Sequence, residues 1–144
     1  MYTHILIATD GSEHAERATE HALRLARSLN ARVTAVSVFP PWAKVAGYDA
    51  VWTSDTLYKE RAQAGAEQHL KEVRQAGKEH AVPLETVVVE HEQLHLGILE
   101  TAKKLECDLI VMGSHGRSGL SALLLGSVTS KVLTHGHLPV LVCR

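Results

Sequence analysis

The sequence contains few of the residues on which disulfide frameworks, membrane spans and nucleic-acid surfaces depend. Two of its 144 residues are cysteines, which is too few for a disulfide framework or a zinc cluster, so we expect free thiols. Its 15 lysines and arginines against 16 acidic residues give a formal net charge of -1, which excludes a global basic field for nucleic acid or an anionic membrane. No apolar run reaches the roughly 18 residues of a membrane span, and the start of the chain lacks the basic region and cleavage site of a signal peptide. We therefore expect a cytoplasmic protein without a nucleic-acid or membrane partner.

What is present is a chain long and apolar enough for one hydrophobic core. Hydrophobic residues make up 45% of it and charged residues 22%, so we expect a single domain over residues 1–144. Four of the five apolar strand candidates alternate with segments of helical period, which is typical of a parallel sheet covered on both faces. The predicted strands are 5–8, 32–39, 84–90, 108–112 and 138–143.

Apolar residues at gaps of three or four predict the helices. A cap at Ser12 starts the first helix, which ends near Asn30 and buries a stripe formed by Ala15, Ala18, Ala22, Leu25 and Leu29. No period is evident from Trp42 to Ser54, and a connection of that length is usually a functional lid or a partner surface. The remaining helices are predicted, in chain order, at about 55–81, 94–105 and 127–135.

This order of elements predicts an α/β fold with a doubly wound, Rossmann-like, five-stranded parallel sheet in the order 3-2-1-4-5. Ligands of such sheets bind beyond the carboxyl ends of the strands, where the winding reverses. In that strand order, the connections at 9–12 and 113–119 face each other across the crevice. Gly113 and Gly116 allow the backbone to approach an anion with its amide groups turned inward.

A helix start lies just beyond this glycine loop. Gly126 and Ser127 open a helix whose unpaired N–H groups suit a phosphate, with the hydroxyls of Ser127 and Thr129 as further donors. The spacing, glycine-x2-glycine-x9-glycine-serine, is neither the Walker A motif nor the dinucleotide fingerprint. The alternative is that the three glycines only form a long turn over the sheet edge.

Together with Ala8-Thr-Asp-Gly-Ser12 and the ending His137-Leu-Pro-Val-Leu-Val142, this loop resembles the universal stress protein family, specifically its ATP-binding branch. The resemblance covers essentially the whole chain. It implies an ATP site with Mg²⁺ or Mn²⁺, in which Asp10 helps to hold the metal ion. It implies that the adenine and ribose side is lined by Ala8, Thr9, Asp10 and the backbone of Val38. The matching ribose and phosphate stretch comprises Met112, Gly113, His115, Gly116, Gly126, Ser127, Val128 and Thr129.

The resemblance also implies a homodimer paired through the last strand, Pro139 to Val142, and an open apolar edge strand favours such association. The implied function is a nucleotide-dependent stress-response or signalling switch. The alternative is a slow ATPase or phosphotransferase using the same site. Phosphoryl transfer needs a metal, cations and a group that orients the nucleophile, and the loop offers Arg117 and His115 but no Walker lysine. A scaffold that binds no nucleotide is a third possibility.

Several of these residues have plainer interpretations. Asp10 can be a turn residue and His115 a surface histidine. Arg117 is a candidate phosphate contact and can equally be a solvated side chain. Trp42, Tyr48 and Trp52 can cap a purine, contact a partner or fill the core.

Two histidine pairs raise the question of a zinc site. His91 and His95 are four residues apart, and His135 and His137 are two apart. The cysteines do not help to complete such a site, because the predicted topology puts them at opposite ends of the sheet, which also argues against a disulfide.

Overall fold

The computed structural model describes residues 1–45, 54–116 and 124–144. Their strands form one parallel sheet in the order β3-β2-β1-β4-β5, which confirms the predicted fold class and strand order. The strands are β1 (His4–Ala8), β2 (Arg32–Phe39), β3 (Glu85–Glu90), β4 (Leu109–Gly113) and β5 (Val140–Cys143). The helices are α1 (Glu13–Leu29), α2 (Trp42–Val45), α3 (Asp55–Glu79), α4 (Leu94–Lys104) and α5 (Ser127–His135).

Strand β1 lies at the centre of the sheet and is buried along its whole length. Ile7 pairs with Ala35 of β2 on one side and with Val111 of β4 on the other. Strands buried on both faces are near-continuous apolar runs, as the sequence here is. Because the chain winds one way from β1 to β2 and the other way to β4, a crevice opens beyond the carboxyl ends of β1 and β4.

Each face of the sheet carries its own apolar layer. On one face, Ile5 and Ile7 pack with Leu23 of α1 and Leu70 of α3. On the other face, side chains of β1 and β4 pack with helices α4 and α5, and the buried members include Leu6, Ile110, Met112, Ile98 and Val132. Burying a leucine or isoleucine side chain fully contributes about 1.5–3 kcal/mol, so both layers hold the sheet's central strands in place.

The helix boundaries mostly follow the predicted signals. The Ser12 hydroxyl accepts a 3.2 Å hydrogen bond from the amide of Ala15, so the predicted cap of α1 is confirmed. Asn30 ends that helix in the left-handed region at φ 52°. Helix α3 ends at Glu79, short of the predicted Ala81, because Ala81 adopts φ 56°, which helical backbone does not allow.

The connection after β2 is more regular than the sequence indicates. Trp42–Val45 forms the short helix α2, which is too short to show a period. The Trp42 ring packs on Tyr58 with ring centroids 5.5 Å apart, and the Tyr58 hydroxyl donates a 2.5 Å hydrogen bond to the carbonyl of Pro40. Trp42 therefore ties the end of β2 to α3. Tyr48 and Trp52 lie outside the described residues.

Both cysteines are free and buried, which confirms the predicted thiols. Cys107 precedes β4 and Cys143 ends β5, at opposite ends of the sheet. Burial raises the pKa of the Cys107 thiol to about 11 and also raises the pKa of Cys143. Within the part of the chain that the structure describes, no helix combines the length and apolar character needed to cross a membrane.

Candidate functional site

The crevice beyond β1 and β4 contains a cavity of about 340 Å³, a size in the range of small-ligand sites. Every predicted site residue that the structure describes lines this cavity, and Arg117 lies outside the described residues. The lining residues that were predicted are Ala8, Thr9, Asp10, Val38, Met112, Gly113, His115, Gly116, Gly126, Ser127, Val128 and Thr129. Their contact with a ligand stays a prediction.

One side of the cavity is apolar. Val36 and Val38 of β2 and Met112 of β4 line it together with Leu94 and Ile98 of α4. Val36, Leu94, Ile98 and Ala15 were not predicted as site residues. Their apolar spacing is that of core residues, and such spacing does not distinguish a core position from a cavity wall. This side offers a slot suited to a flat, weakly polar group.

A close approach between α4 and β2 shapes this apolar side. A Cβ atom added to Gly97 would lie 2.7 Å from Cγ1 of Val38. The missing side chain therefore lets α4 come directly onto β2, and it fixes Val38 at the cavity wall.

The lining of the cavity also includes a polar turn after β1. The amide of Gly11 donates to the Thr9 hydroxyl at 3.1 Å, and the amide of Ser12 donates to Oδ1 of Asp10 at 3.0 Å. Gly11 takes φ 77°, a conformation that glycine adopts without strain. Asp10 is therefore a turn residue through Oδ1 and a cavity-lining residue at the same time, so the two interpretations of this carboxylate are compatible.

The spacing of the three loop glycines has a steric reason. A Cβ atom added to Gly113 would lie 2.7 Å from Cβ of His14, and one added to Gly116 would lie 2.5 Å from Oδ2 of Asp10. At Gly126 the added atom would come within 3.1 Å of the loop backbone. Each glycine thus allows a contact between the β4 loop and a neighbouring element, which argues against the interpretation of a long turn without a role.

Hydrogen bonds fasten the loop to α5 and to β5. The amide of Gly126 donates to the carbonyl of Ser114 at 2.7 Å, and the amide of Ser114 donates to the carbonyl of Cys143 at 2.6 Å. The Thr129 hydroxyl donates to the carbonyl of Gly113 at 2.7 Å. In this arrangement the proton of the Thr129 hydroxyl holds the loop, and its donation to a phosphate stays a prediction.

The first turn of α5 presents backbone N–H groups at the same end of the cavity. Gly126 is its N-cap and supplies no side-chain hydrogen bond to the helix. Ser127 and Val128, which follow the cap, line the cavity. A helix start of this kind attracts anions through its N–H groups and its dipole.

His115 also lines the polar end. Its Nδ1 atom shares a 3.0 Å hydrogen bond with the hydroxyl of Ser114, and its ring centroid lies 5.2 Å from that of His14. The Nε2 atom is buried and has no hydrogen-bond partner among the residues that the structure describes. His115 is therefore half-buried with one ring nitrogen shielded from solvent, and its role toward a ligand stays a prediction.

Known proteins resemble this chain in sequence and in fold. The sequence profile of the Universal stress protein family matches residues 1–144. The chain belongs to this family. Universal stress protein MJ0531 of Methanocaldococcus jannaschii is 35% identical over 146 residues, covering 100% of this chain and 83% of that protein.

Two solved structures share the fold of this universal stress protein. The structure of MJ0577, also from Methanocaldococcus jannaschii, has a TM-score of 0.84 at 28% identity and covers 99% of this chain and 96% of its own. The structure of the universal stress protein from Archaeoglobus fulgidus in complex with dAMP has a TM-score of 0.73 at 21% identity, covering 99% of this chain and 98% of its own. The second likeness concerns the fold alone.

Metal-binding groups are sparse in this family member. The described residues contain no group of three or more histidine, cysteine, aspartate or glutamate side chains able to hold a metal ion. His91 pairs with Glu100 at 3.2 Å, and His95 packs against the ring of His135 with centroids 5.0 Å apart. Asp10 is the one carboxylate among the described residues that line the cavity, which fits Mg²⁺ when ligand phosphates supply further oxygens.

Proposed function

We propose that this universal stress protein binds ATP with Mg²⁺ or Mn²⁺ in the crevice between β1 and β4 and acts as a nucleotide-dependent switch in the stress response. One observation carries the proposal. A single cavity has an apolar slot at Val38 and Met112 and an anion-suited end at Gly116, Gly126 and Ser127. An adenine nucleotide has the same division between a flat base and a charged tail. A protein of the same fold, the universal stress protein from Archaeoglobus fulgidus, has been solved in complex with dAMP.

In this proposal each wall of the cavity has a separate task. The slot beside Val38 and Met112 receives the base, where removal of apolar surface from water drives binding. The backbone N–H groups at Gly116 and at the start of α5 receive the phosphates. Asp10 helps to hold the cation, which neutralises phosphate charge when it is bound.

A switch needs a path from the site to a surface, and the loop supplies one. Ser114 is bonded through its amide to Cys143 at the end of β5. A ligand that fixes the loop therefore also fixes the end of the outer strand. Binding energy can shift a conformational equilibrium only through such differential contacts.

We also propose that two copies pair through β5, at the segment Pro139 to Val142. This strand lies at one edge of the sheet, and Leu141 is 38% exposed. Open apolar edge strands promote pairing with another chain. A cytoplasmic location completes the proposal, since buried free thiols are typical of reducing compartments.

Calorimetric titration with MgATP tests the nucleotide proposal. Gly116→Ala would push a methyl group against Asp10, so we expect at least about tenfold weaker binding, a loss of roughly 1.4 kcal/mol. Gly65→Ala is the matched control, because no atom lies within 4 Å of a Cβ added there, and its affinity should equal that of the wild type. Absence of wild-type binding at millimolar MgATP would reject the proposal.

The alternative function, slow hydrolysis or phosphotransfer, rests on the position of the Asp10 carboxylate in the cavity. Among the described lining residues there is no lysine or arginine to neutralise developing charge, which favours binding over turnover. Sustained phosphate release that Asp10→Ala abolishes would instead establish the enzyme. Recovery of intact ATP after prolonged incubation is the result we expect.

A further inference from the structure

Two histidine rings join helix α1 to the loop that follows β4. His14 lies in the first turn of α1, and His115 lies two residues after β4. Their ring centroids are 5.2 Å apart and their planes are inclined by 56°, a tilted geometry within the favourable range for aromatic pairs. The contact is possible because Gly113 lacks a side chain, since a Cβ atom there would lie 2.7 Å from Cβ of His14.

His115 is held at its backbone and at one ring nitrogen. Gly126 packs so closely on it that an added Cβ atom would lie 3.1 Å from Cα of His115. The Nδ1 atom bonds to the neighbouring Ser114 hydroxyl at 3.0 Å. The contact with His14 is thus a further restraint on where the imidazole plane lies.

The other nitrogen of His115 needs a partner. Its Nε2 atom is buried and unpartnered within the described ranges, and a buried polar atom in that state costs free energy until a hydrogen bond is made. His115 lines the cavity at its polar end, with Gly116 and Gly126. A phosphate oxygen at that end is an acceptor of the right chemistry for an imidazole N–H.

We propose that His14, which no prediction above assigns to the site, is a positioning residue for the phosphate end of the ligand. It acts through His115 by restraining the imidazole at the polar end of the cavity, where Nε2 donates to a phosphate oxygen once the arriving ligand opens access to it. The inference rests on the proposed nucleotide binding and extends it. Its ligand class is a phosphorylated nucleoside, because His115 lines the cavity beside Gly116 and Gly126, at the end proposed to receive the phosphates.

Calorimetric titrations of each variant with ATP and with adenosine test this role. For His14→Ala we expect about fivefold to tenfold weaker ATP binding, with adenosine affinity within about twofold of the wild type. His14→Phe retains a ring and should restore ATP affinity to within about twofold. His21→Ala is the matched control, an exposed histidine on the same helix, and should change neither affinity. Equal weakening of ATP and adenosine by His14→Ala would overturn the proposal, because that is the result of a general packing defect.

A double-mutant cycle separates positioning from independent contact. If His14 acts through His115, the variant His14→Ala/His115→Ala should bind ATP no more weakly than His115→Ala alone. Additive losses would overturn the inference even if adenosine binding proves too weak to compare. A wild type that binds no ATP removes the proposed function and this inference together. Normal ATP binding that is indifferent to His14→Ala removes the inference alone.

Discussion

The hydroxyl of Thr129 donates a 2.7 Å hydrogen bond to the carbonyl of Gly113. This bond joins the first turn of α5 to the last residue of β4, across the loop that forms the polar end of the cavity. Thr129 is 3% exposed, so neither group can exchange its partner for bulk water. The geometry of the candidate phosphate site therefore depends on this buried hydroxyl, together with the backbone bonds made by the amides of Gly126 and Ser114.

Replacing this hydroxyl should loosen both the fold and the site. Thr129→Val keeps the shape but leaves the Gly113 carbonyl unpaired, which should lower the free energy of unfolding by about 1–3 kcal/mol. Thr129→Ser should retain most of the stability, measured by urea denaturation. Thr134→Val is the control, because its hydroxyl makes the same kind of bond to Ser130 on the exposed side of α5. Equal losses for Thr129→Val and Thr134→Val would contradict this reasoning.

At the other end of the sheet, Asp108 ties the start of β4 to the start of β1. It accepts hydrogen bonds from the amide and hydroxyl of Thr3 and from the amide of His4, at 2.8–3.0 Å. Burial alone would raise the pKa of this carboxyl, but the hydrogen bonds from Thr3 and His4 bring it below its usual value of 3.8. The ionised Asp108 carboxylate therefore stabilises the folded state fully above pH 3.8, and this stabilisation is lost as the pH falls through the lowered pKa of the folded protein.

Asp108→Asn should therefore lower the free energy of unfolding at pH 7 by about 1 kcal/mol, since two of the bonds are exposed. The difference in the free energy of unfolding between this variant and the wild type should become smaller as the pH drops below 3.8. Urea denaturation at several pH values measures it. Glu106→Gln, an exposed acid two residues earlier, should leave the pH profile unchanged. A gap that stays constant down to pH 2 would refute the role of the charge.

His95 should make the packing between α4 and α5 sensitive to acid. It is 5% exposed, and burial lowers its pKa, assisted by the charges of His135, Lys131 and His91. The folded protein thus binds a proton at His95 less readily than the unfolded chain does. Above pH 6.5 His95 is largely neutral in both states, so the difference in pKa hardly affects the free energy of unfolding. Below pH 6.5 the unfolded chain binds the proton first, and the free energy of unfolding decreases as the pH falls.

His95→Gln should consequently reduce the loss of stability between pH 7 and pH 5.5. The measurement is the difference in the free energy of unfolding at these two pH values, compared with the wild type and with His21→Gln. The control histidine is exposed on α1 and should behave as the wild type does. An unchanged pH dependence in His95→Gln would show that other groups govern acid sensitivity.

The edge strand gives a prediction about self-association. Leu141→Lys places a charge in the middle of β5, and charged side chains on edge strands oppose pairing between sheets. We expect the dimer dissociation constant to rise by at least about tenfold in analytical ultracentrifugation. Leu57→Lys is matched in exposure, at 39% against 38% for Leu141, and should leave the assembly intact. A monomeric wild type, or a dimer indifferent to Leu141→Lys, would disprove pairing through β5.

Most of the fold follows from local patterns. The stripe from Ala15 to Leu29 has helical period, β1 and β4 are apolar runs, and Ser12 carries its own capping chemistry. These signals lie within single elements, and the alternation of elements then restricts the topology. The end of α3 was missed because the positive φ of Ala81 depends on tertiary packing, which no residue type at that position announces.

Some residues of the candidate site could be predicted from local sequence patterns, and others could not. Gly113, Gly116 and Gly126 were identified from their spacing, and the structure gives each a contact that a side chain would block. Leu94 was missed because a cavity wall and a core have the same apolar signature. The contact between His14 and His115 joins residues about a hundred positions apart, so it becomes visible only when the chain has folded.

Burial of Cys107 affects the reactivity of its thiol toward oxidants. Thiolate is the form that peroxides attack, and a pKa of about 11 keeps this sulfur almost entirely protonated at neutral pH. Cys143 is shielded in the same manner at the far end of the sheet. Both thiols are thus held largely in the protonated form at neutral pH, so neither cysteine is equipped to act as a peroxide sensor.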